Sequence, residues 1–294
     1  MPSPTNVRAA GTAATLSVLD HDRDSAGLTY VYPVVSRRAG GVSVGINLNV
    51  NNACNWRCIY CQVPGLGRGA APPVDLARLA QELEAFLGEV LHGDFLASRV
   101  PAGARRLNDI ALSGNGEPTS ARQFEQVVEL IGGVRKRSGV PPAVKTVLIT
   151  NGSLMQRPGV QAGVRKLSGM NGEVWFKLDR ASEQGLRRIN GTRTTLARVR
   201  ANLAAAAQAC PTWIQTCMFA VDAQAPGEAE QTAYLEFLRE SMAQGIRPEG
   251  VLLYGLARAS MQPEAAALSS LPDGWMEAFA RRIRALGLPV KITP

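Results

Sequence analysis

The sequence predicts an α/β fold in one domain, a partial barrel built from six parallel strand–helix units. From Gly41 onward, short apolar segments rich in β-branched residues alternate with longer segments of helical periodicity. Short apolar runs are typical of strands buried on both faces, and helical connections make neighbouring strands parallel with right-handed crossovers. Neither an internal repeat nor a Ser/Pro-rich linker divides the 294 residues. These observations predict a single partial (βα)6 barrel.

The predicted elements follow in order along the chain. The strands are Ser43–Val50, Asp109–Leu112, Thr146–Thr150, Val174–Leu178, Trp213–Phe219 and Gly250–Leu253. The helices between them are Val74–Leu91, Ala121–Ser138, Val160–Leu167, Leu196–Ala207 and Glu228–Gln244. A final helix, Gly274–Leu286, and a short strand, Val290–Ile292, are expected to close the edge of the barrel. Residues 1–30, rich in Ala, Ser, Thr and Asp, predict a flexible extension before a core of residues 31–294.

Composition favours a globular protein of a reducing compartment. Hydrophobic residues make up 46% of the chain, enough to build a core. Five cysteines, three of them clustered, fit a cytoplasmic protein better than a secreted disulfide framework. The N-terminal segment is interrupted by charged residues, and no apolar run approaches transmembrane length. We therefore expect a cytoplasmic protein that does not cross a membrane.

The chain is basic, with a net charge of +8 that permits an anionic partner such as RNA. The basic residues are mostly arginines on predicted helices, for example Arg135–Arg137 and Arg281–Arg282, and no aromatic residues are interleaved with them. This dispersed pattern favours solvated helix surfaces over a nucleic-acid interface.

Three cysteines follow the first predicted strand with the spacing Cys-x3-Cys-x2-Cys: Cys54, Cys58 and Cys61. Three thiolates this close can bind three irons of a cubane 4Fe–4S cluster and leave the fourth iron open to a small molecule. A zinc site needs a fourth ligand, and no other Cys or His lies within thirty residues on either side. A zinc site and three unrelated thiols are the alternatives.

This segment resembles the cysteine motif of radical S-adenosylmethionine (SAM) enzymes, with Tyr60 at the aromatic position before the third cysteine. The resemblance implies a radical SAM barrel, one 4Fe–4S cluster, and SAM bound to the open iron through its amino and carboxylate groups. It also implies an oxidoreductase-type reaction, in which an electron from a donor such as flavodoxin or ferredoxin reductively cleaves SAM. The resulting 5′-deoxyadenosyl radical abstracts hydrogen from a substrate. The cofactor carries that chemistry and the protein supplies placement.

The second predicted strand is followed by a glycine-containing loop, Gly114-Asn115-Gly116-Glu117. Glycines let the backbone approach a ligand, free amides can receive a carboxylate, and Glu117 can receive an ammonium group. On its own the loop is an ordinary turn. One strand–helix unit after the triplet, it resembles the Gly-Gly-Glu-Pro motif that contacts the SAM amino group, with Asn115 in place of a glycine.

Later strand ends supply the remaining candidates. Asn151 follows the third strand, either as a turn residue or, by resemblance, as a contact to the SAM ribose. Alternation puts Lys177 and Asp179 on one face of the fourth strand, either as a mutual salt bridge or in contact with SAM or substrate. Gln215 and Cys217 share a face of the fifth strand. Cys217 is a hydrogen donor, a cluster ligand or a core thiol, and the core thiol is favoured.

Further segments resemble one branch of the superfamily, the archaeal tRNA 4-demethylwyosine synthases and bacterial relatives: Tyr32–Arg38, Gly45–Leu48, Tyr60–Gln62 and Asn115–Thr119. Those synthases bind a second cluster through upstream cysteines, whereas this chain has no cysteine before Cys54. We therefore expect hydrogen abstraction from a substrate that the sequence does not identify. The alternatives are a wyosine-type tRNA-modifying enzyme and an activating or maturase enzyme that acts on a protein or peptide.

Overall fold

The computed structural model describes Leu16, residues 27–36 and residues 40–293. The flexible extension predicted over residues 1–30 therefore lies mostly outside the described residues, as do Arg37 and Arg38 of the wyosine-like segment. Within the described part of residues 1–30, Leu16 and Tyr30 are buried.

Twelve strands and eight α-helices form from the described residues. The strands are β1 (Val31–Ser36), β2 (Gly41–Ile46), β3 (Ala53–Cys54), β4 (Gly67–Arg68), β5 (Leu107–Leu112), β6 (Lys145–Thr150), β7 (Gly172–Lys177), β8 (Thr212–Cys217), β9 (Ala220–Val221), β10 (Gly250–Tyr254), β11 (Leu268–Ser269) and β12 (Val290–Thr293). The helices are α1 (Leu76–Leu91), α2 (Phe95–Arg99), α3 (Phe124–Arg137), α4 (Pro158–Ser168), α5 (Glu183–Asn190), α6 (Leu196–Ala209), α7 (Glu228–Ala243) and α8 (Asp273–Arg284). Short 3₁₀ turns cover Ala102–Ala104, Pro118–Ser120 and Pro263–Ala267.

Eight strands form one sheet in the order β1-β2-β5-β6-β7-β8-β10-β12. Strand β1 runs antiparallel to β2, and every other neighbouring pair in this sheet is parallel. The sheet curls into a half-barrel. The six predicted strands occupy adjacent positions in sequence order, and β12 extends the sheet beside β10. The predicted partial (βα)6 barrel is confirmed.

Several elements were not predicted, among them β1 and α5, and the first predicted strand is shorter than expected. Strand β1 contains Pro33, which argues against an interior strand but is compatible with the sheet edge where β1 lies. Helix α5 has only eight residues, about two turns, which is too short a segment for its periodicity to stand out in the sequence. The first predicted strand continues to Val50, whereas β2 ends at Ile46. The side chain of Asn47 then accepts a hydrogen bond from the Asn49 amide and turns the chain.

The main core lies between the sheet and the helices that cover its outer face. On α3, residues Val127, Ile131 and Val134 are fully buried, which is the spacing of one helical face. At the other end of the core, Glu82 of α1 accepts hydrogen bonds from the backbone amides of Thr29 and Tyr30. None of the helices in the described residues is long and apolar enough to cross a membrane.

Candidate functional site

A cavity of about 290 Å³ lies inside the half-barrel at the carboxyl ends of its strands. In a parallel barrel this end carries the loops that form the active face. The sequence-predicted residues in the cavity wall are Cys54, Cys58, Tyr60, Cys61, Gly114, Asn115, Gly116, Glu117, Asn151 and Lys177. Residues from four separate loops and strand ends therefore meet around one space.

The loop that carries the three cysteines is fixed by hydrogen bonds to the end of α5. The amides of Arg57 and Ile59 donate to the carbonyls of Asn190 and Ile189, at 3.1 and 2.9 Å. The Asn190 side chain also donates to Cys58 Sγ at 3.3 Å. Helix α5 therefore positions the second cysteine of the triplet.

The three triplet thiols are partly exposed and free of disulfides. Burial raises the pKa of Cys54 to about 11 and the pKa of Cys58 to about 12. These two thiols are therefore protonated at neutral pH, and a cation such as cluster iron would have to release their protons on binding. A cysteine loop held in place beside a cavity fits such a cation.

Within the described residues, no three Cys, His, Asp or Glu side chains are placed to hold a metal ion as they stand. A cubane differs from a single ion because its irons occupy separate corners and each cysteine meets only its own iron. Cys54, Cys58 and Cys61 all face the same cavity. This arrangement is compatible with a cluster whose fourth iron faces the cavity.

The glycine loop packs tightly against the segment between β2 and the first cysteine, residues 47–53. A Cβ atom on Gly114 would lie 2.3 Å from Asn47 Oδ1, and one on Gly116 would lie 2.0 Å from the carbonyl oxygen of Ala53. Gly114 also has a φ of +150°. The Asn115 amide donates to Asn47 Oδ1 at 3.0 Å. Both glycines are therefore required by close backbone packing, whatever the loop binds.

Glu117 is 2% exposed yet its side chain reaches the cavity wall. Its Oε1 accepts hydrogen bonds from the Thr119 amide, the Thr119 hydroxyl and the Thr150 hydroxyl, at 3.1, 2.6 and 2.6 Å. Its Oε2 accepts one from the Asn151 amide at 2.7 Å. Burial raises the pKa of Glu117, and these hydrogen bonds only partly offset the increase. The carboxylate thus joins the ends of β5 and β6.

Asp179 is fully buried, and the protein occupies both of its carboxylate oxygens. Oδ2 accepts from the Tyr60 hydroxyl at 2.5 Å and from the Asn190 side chain at 2.6 Å. Oδ1 accepts from the Cys217 amide at 2.9 Å. Burial, followed by the charge of Asp179, raises the pKa of Tyr60. Asp179 therefore supports two residues of the cavity wall.

Lys177 forms no ion pair with Asp179, although the structure describes both residues. Its ammonium group lies 3.3 Å from the Tyr254 hydroxyl and 4.9 Å from the centroid of the Tyr60 ring. Desolvation alone would lower the pKa of Lys177, but attraction to Tyr254 and Asp179 outweighs it and raises the pKa. Lys177 therefore contributes a fixed positive charge to the cavity.

The inner wall of the cavity contains further residues that alternation along the strands brings inward. Gln215 and Cys217 both line it, which agrees with their predicted shared face. Burial raises the pKa of Cys217 to about 12. Tyr32 was not predicted in this role: its ring covers Gly45, and its hydroxyl lies 2.8 Å from Ser113 Oγ. Its position two residues into an unpredicted strand explains why it was missed.

A segment after β10 also contacts the cysteine loop, and no periodic pattern in the sequence predicted this contact. The Ser260 hydroxyl donates to the Ile59 carbonyl at 2.7 Å. Glu264 accepts two hydrogen bonds from the Arg57 guanidinium, at 2.9 and 3.0 Å. Upstream of this segment, residues 254–258 also line the cavity.

Comparison with known proteins finds relatives that match part of the chain in sequence and solved structures that share its fold. No protein-family model matches the chain. The UPF0026 protein of Helicobacter pylori is 28% identical over 163 residues, which are 54% of this chain and 44% of that protein. The chain thus matches less than half the length of this relative.

Two solved structures share the architecture. A radical SAM methyltransferase from Sphaerobacter thermophilus has a TM-score of 0.59 at 14% identity, covering 86% of this chain and 66% of the other. Streptococcus suis SuiB, solved bound to S-adenosylmethionine, has a TM-score of 0.50 at 12% identity, covering 82% and 44%. Identity this low is evidence for the fold alone. The chain has the partial barrel found in radical SAM enzymes.

Proposed function

We propose that this chain is a radical SAM enzyme that holds one 4Fe–4S cluster through Cys54, Cys58 and Cys61 and binds SAM in the adjoining cavity. One observation carries the proposal. The cysteine triplet and the Gly114–Glu117 loop are far apart in sequence, yet both line a single cavity at the carboxyl ends of parallel strands. An iron–sulfur carrier without SAM would need the cysteines but not this loop.

When bound, the reduced cluster and SAM supply a 5′-deoxyadenosyl radical that abstracts hydrogen from substrate. In this proposal the Gly114–Gly116 backbone and Glu117 receive the amino-acid end of SAM, and Lys177 adds a positive charge for its carboxylate. Asn151 contacts the ribose. Asp179 acts through Tyr60, whose ring it fixes beside the cavity.

The electron donor in this proposal is a small carrier of the flavodoxin or ferredoxin class. A wyosine-type tRNA modification is the second candidate reaction. It is favoured by the segments that resemble that branch, because Tyr32, Gly45 and Asn115 from those segments line the cavity. Tight, structure-selective binding of a tRNA at physiological salt would move this candidate to first place.

The proposed function is tested with anaerobically reconstituted protein, dithionite and SAM. We expect about four iron and four sulfide per chain, and formation of methionine and 5′-deoxyadenosine measured by liquid chromatography. Alanine at Cys54, Cys58 or Cys61 should abolish both the cluster and the products. The matched control is Cys210→Ala, because Cys210 is a buried thiol that donates to the Gly172 carbonyl. Cluster-replete protein that never cleaves SAM would refute the proposal.

A further inference from the structure

Besides the triplet, a fourth cysteine faces the cavity. Cys217 ends β8, is 1% exposed and lines the same cavity as Cys54, Cys58 and Cys61. Its backbone amide is held by Asp179 at 2.9 Å, so the residue cannot easily turn away. On the neighbouring strand it is in register with Tyr254, another cavity residue. A thiol is thus fixed within the space where the proposed function puts SAM and substrate.

A second, independent observation lies beside this thiol: a buried amide oxygen to which no described residue donates a hydrogen bond. Gln215 lies two residues earlier on the same wall and is 1% exposed. Its Oε1 has no hydrogen-bond partner among the described residues. A buried amide oxygen without a partner costs free energy, and most such oxygens in native proteins are satisfied by protein, water or ligand. A ligand N–H or O–H group in the cavity would satisfy it.

We propose that Cys217 is a catalytic hydrogen-atom donor that returns hydrogen to the substrate radical, while Gln215 accepts a hydrogen bond from an N–H or O–H group of that substrate. The inference rests on the proposed function and deepens it. The substrate class is a molecule with such a donor group close to the carbon that loses hydrogen. Because that carbon regains a hydrogen atom, the reaction leaves its oxidation level unchanged, as in an inversion of configuration.

One electron cleaves SAM to methionine and the 5′-deoxyadenosyl radical, which breaks a substrate C–H bond and becomes 5′-deoxyadenosine. The S–H bond of Cys217 then breaks as a new C–H bond forms on the substrate. The sulfur radical that remains takes one electron from a donor of the flavodoxin or ferredoxin class and one proton from water. An S–H bond is weaker than the C–H bond that forms on the substrate, so the transfer from sulfur to carbon is favourable.

The test needs no substrate. Reconstituted protein is equilibrated in D₂O, reduced with dithionite and given SAM, and the deuterium content of the 5′-deoxyadenosine is read by mass spectrometry. Thiols exchange with D₂O, whereas carbon-bound hydrogens do not. Alcohol and amide hydrogens exchange too, but their bonds are too strong to yield to a carbon radical. We expect 5′-deoxyadenosine with one deuterium from the unmodified chain and from Cys210→Ala.

The variants Cys217→Ala and Cys217→Ser should give unlabelled 5′-deoxyadenosine. Serine keeps the size of the side chain, so this variant guards against a folding defect. Its O–H bond is too strong to replace the thiol as a hydrogen donor. Unlabelled product from the unmodified chain, or equal labelling in the Cys217 variants, would overturn the inference while leaving SAM cleavage intact. Complete absence of 5′-deoxyadenosine would instead overturn the proposed function and this inference with it.

Discussion

The Tyr60 hydroxyl donates a 2.5 Å hydrogen bond to the buried carboxylate of Asp179 and so ties the cysteine loop to the end of β7. The same carboxylate accepts from the Asn190 side chain, which also reaches Cys58. A single buried acid therefore holds Tyr60 directly and Cys58 through Asn190 before any cofactor binds. Its removal would leave three buried donors unsatisfied.

We predict that Asp179→Ala lowers the free energy of unfolding by about 3–5 kcal/mol, because each buried donor left without its partner costs about 1–3 kcal/mol. Urea denaturation of the cluster-free protein measures this. Asp94→Ala is the control, since Asp94 is exposed and its side chain does not cap α2. A loss below about 1 kcal/mol in Asp179→Ala would mean that the carboxylate does not organise the site.

The packing of the glycine loop leads to a second prediction. In Gly116→Ala the new Cβ would lie 2.0 Å from the Ala53 carbonyl oxygen, so backbone next to Cys54 must move. We expect a loss of about 1–3 kcal/mol in unfolding free energy and less iron bound per chain after reconstitution. Gly159→Ala is the matched control, because nothing lies within 4 Å of a Cβ at that helical position. Equal iron content in both variants would contradict the prediction.

The sequence was sufficient for the parts of the site that follow from strand order. Parallel strands have their carboxyl ends on one edge, so the loops after β2, β5, β6 and β7 had to meet there once the alternation was recognised. The triplet and the Gly114–Glu117 loop were therefore predictable as neighbours. So was the inward side of Gln215 and Cys217, because strand side chains alternate.

The sequence was not sufficient for the polar contacts that hold these loops. Glu117 meets Asn151 across 34 positions, and Tyr60 meets Asp179 across 119. Such pairs depend on the final geometry of the sheet and leave no local periodicity. Glu264, in the segment after β10, accepts hydrogen bonds from Arg57 and was missed for the same reason. Asp179 was expected either to pair with Lys177 or to contact SAM or substrate; in the structure its carboxylate accepts hydrogen bonds from Tyr60, Asn190 and the Cys217 amide.

A third prediction concerns pH. Desolvation tends to raise the pKa of Glu82, but hydrogen bonds from the Tyr30 and Thr29 amides and from Arg78 outweigh it and lower the pKa below its ordinary value. The folded state thus favours the charged form. This contribution to stability is present above the ordinary carboxyl pKa and is lost as pH falls through the lowered value.

We therefore expect Glu82→Gln to flatten the fall in unfolding free energy between pH 6 and about 3, as measured by urea titrations at each pH. The control is Glu84→Gln on the same helix, where an exposed ion pair with Arg137 should contribute little. Its pH profile should follow that of the unmodified chain. A Glu82→Gln profile as steep as the unmodified one would disprove the role given to Glu82.

The last prediction separates binding from stability on neighbouring residues of β8. Gln215 has a buried oxygen without a partner, whereas the Thr216 hydroxyl is hydrogen-bonded to the Leu178 carbonyl and lies 2.6 Å from the Tyr234 hydroxyl. Replacing an unsatisfied polar group with an apolar one of similar shape removes a cost, whereas removing a satisfied one creates a cost. The two substitutions should therefore act in opposite directions.

We expect Gln215→Met to leave the unfolding free energy unchanged or to raise it by about 1–2 kcal/mol, and Thr216→Val to lower it by about 1–3 kcal/mol. Urea denaturation of both variants without SAM or cluster measures the difference. Such a gain from Gln215→Met would mean that the amide is kept at a cost to stability, as expected of a group that binds a ligand. If both variants lose the same stability, Gln215 has a partner in the folded protein and the argument for a ligand beside Cys217 fails.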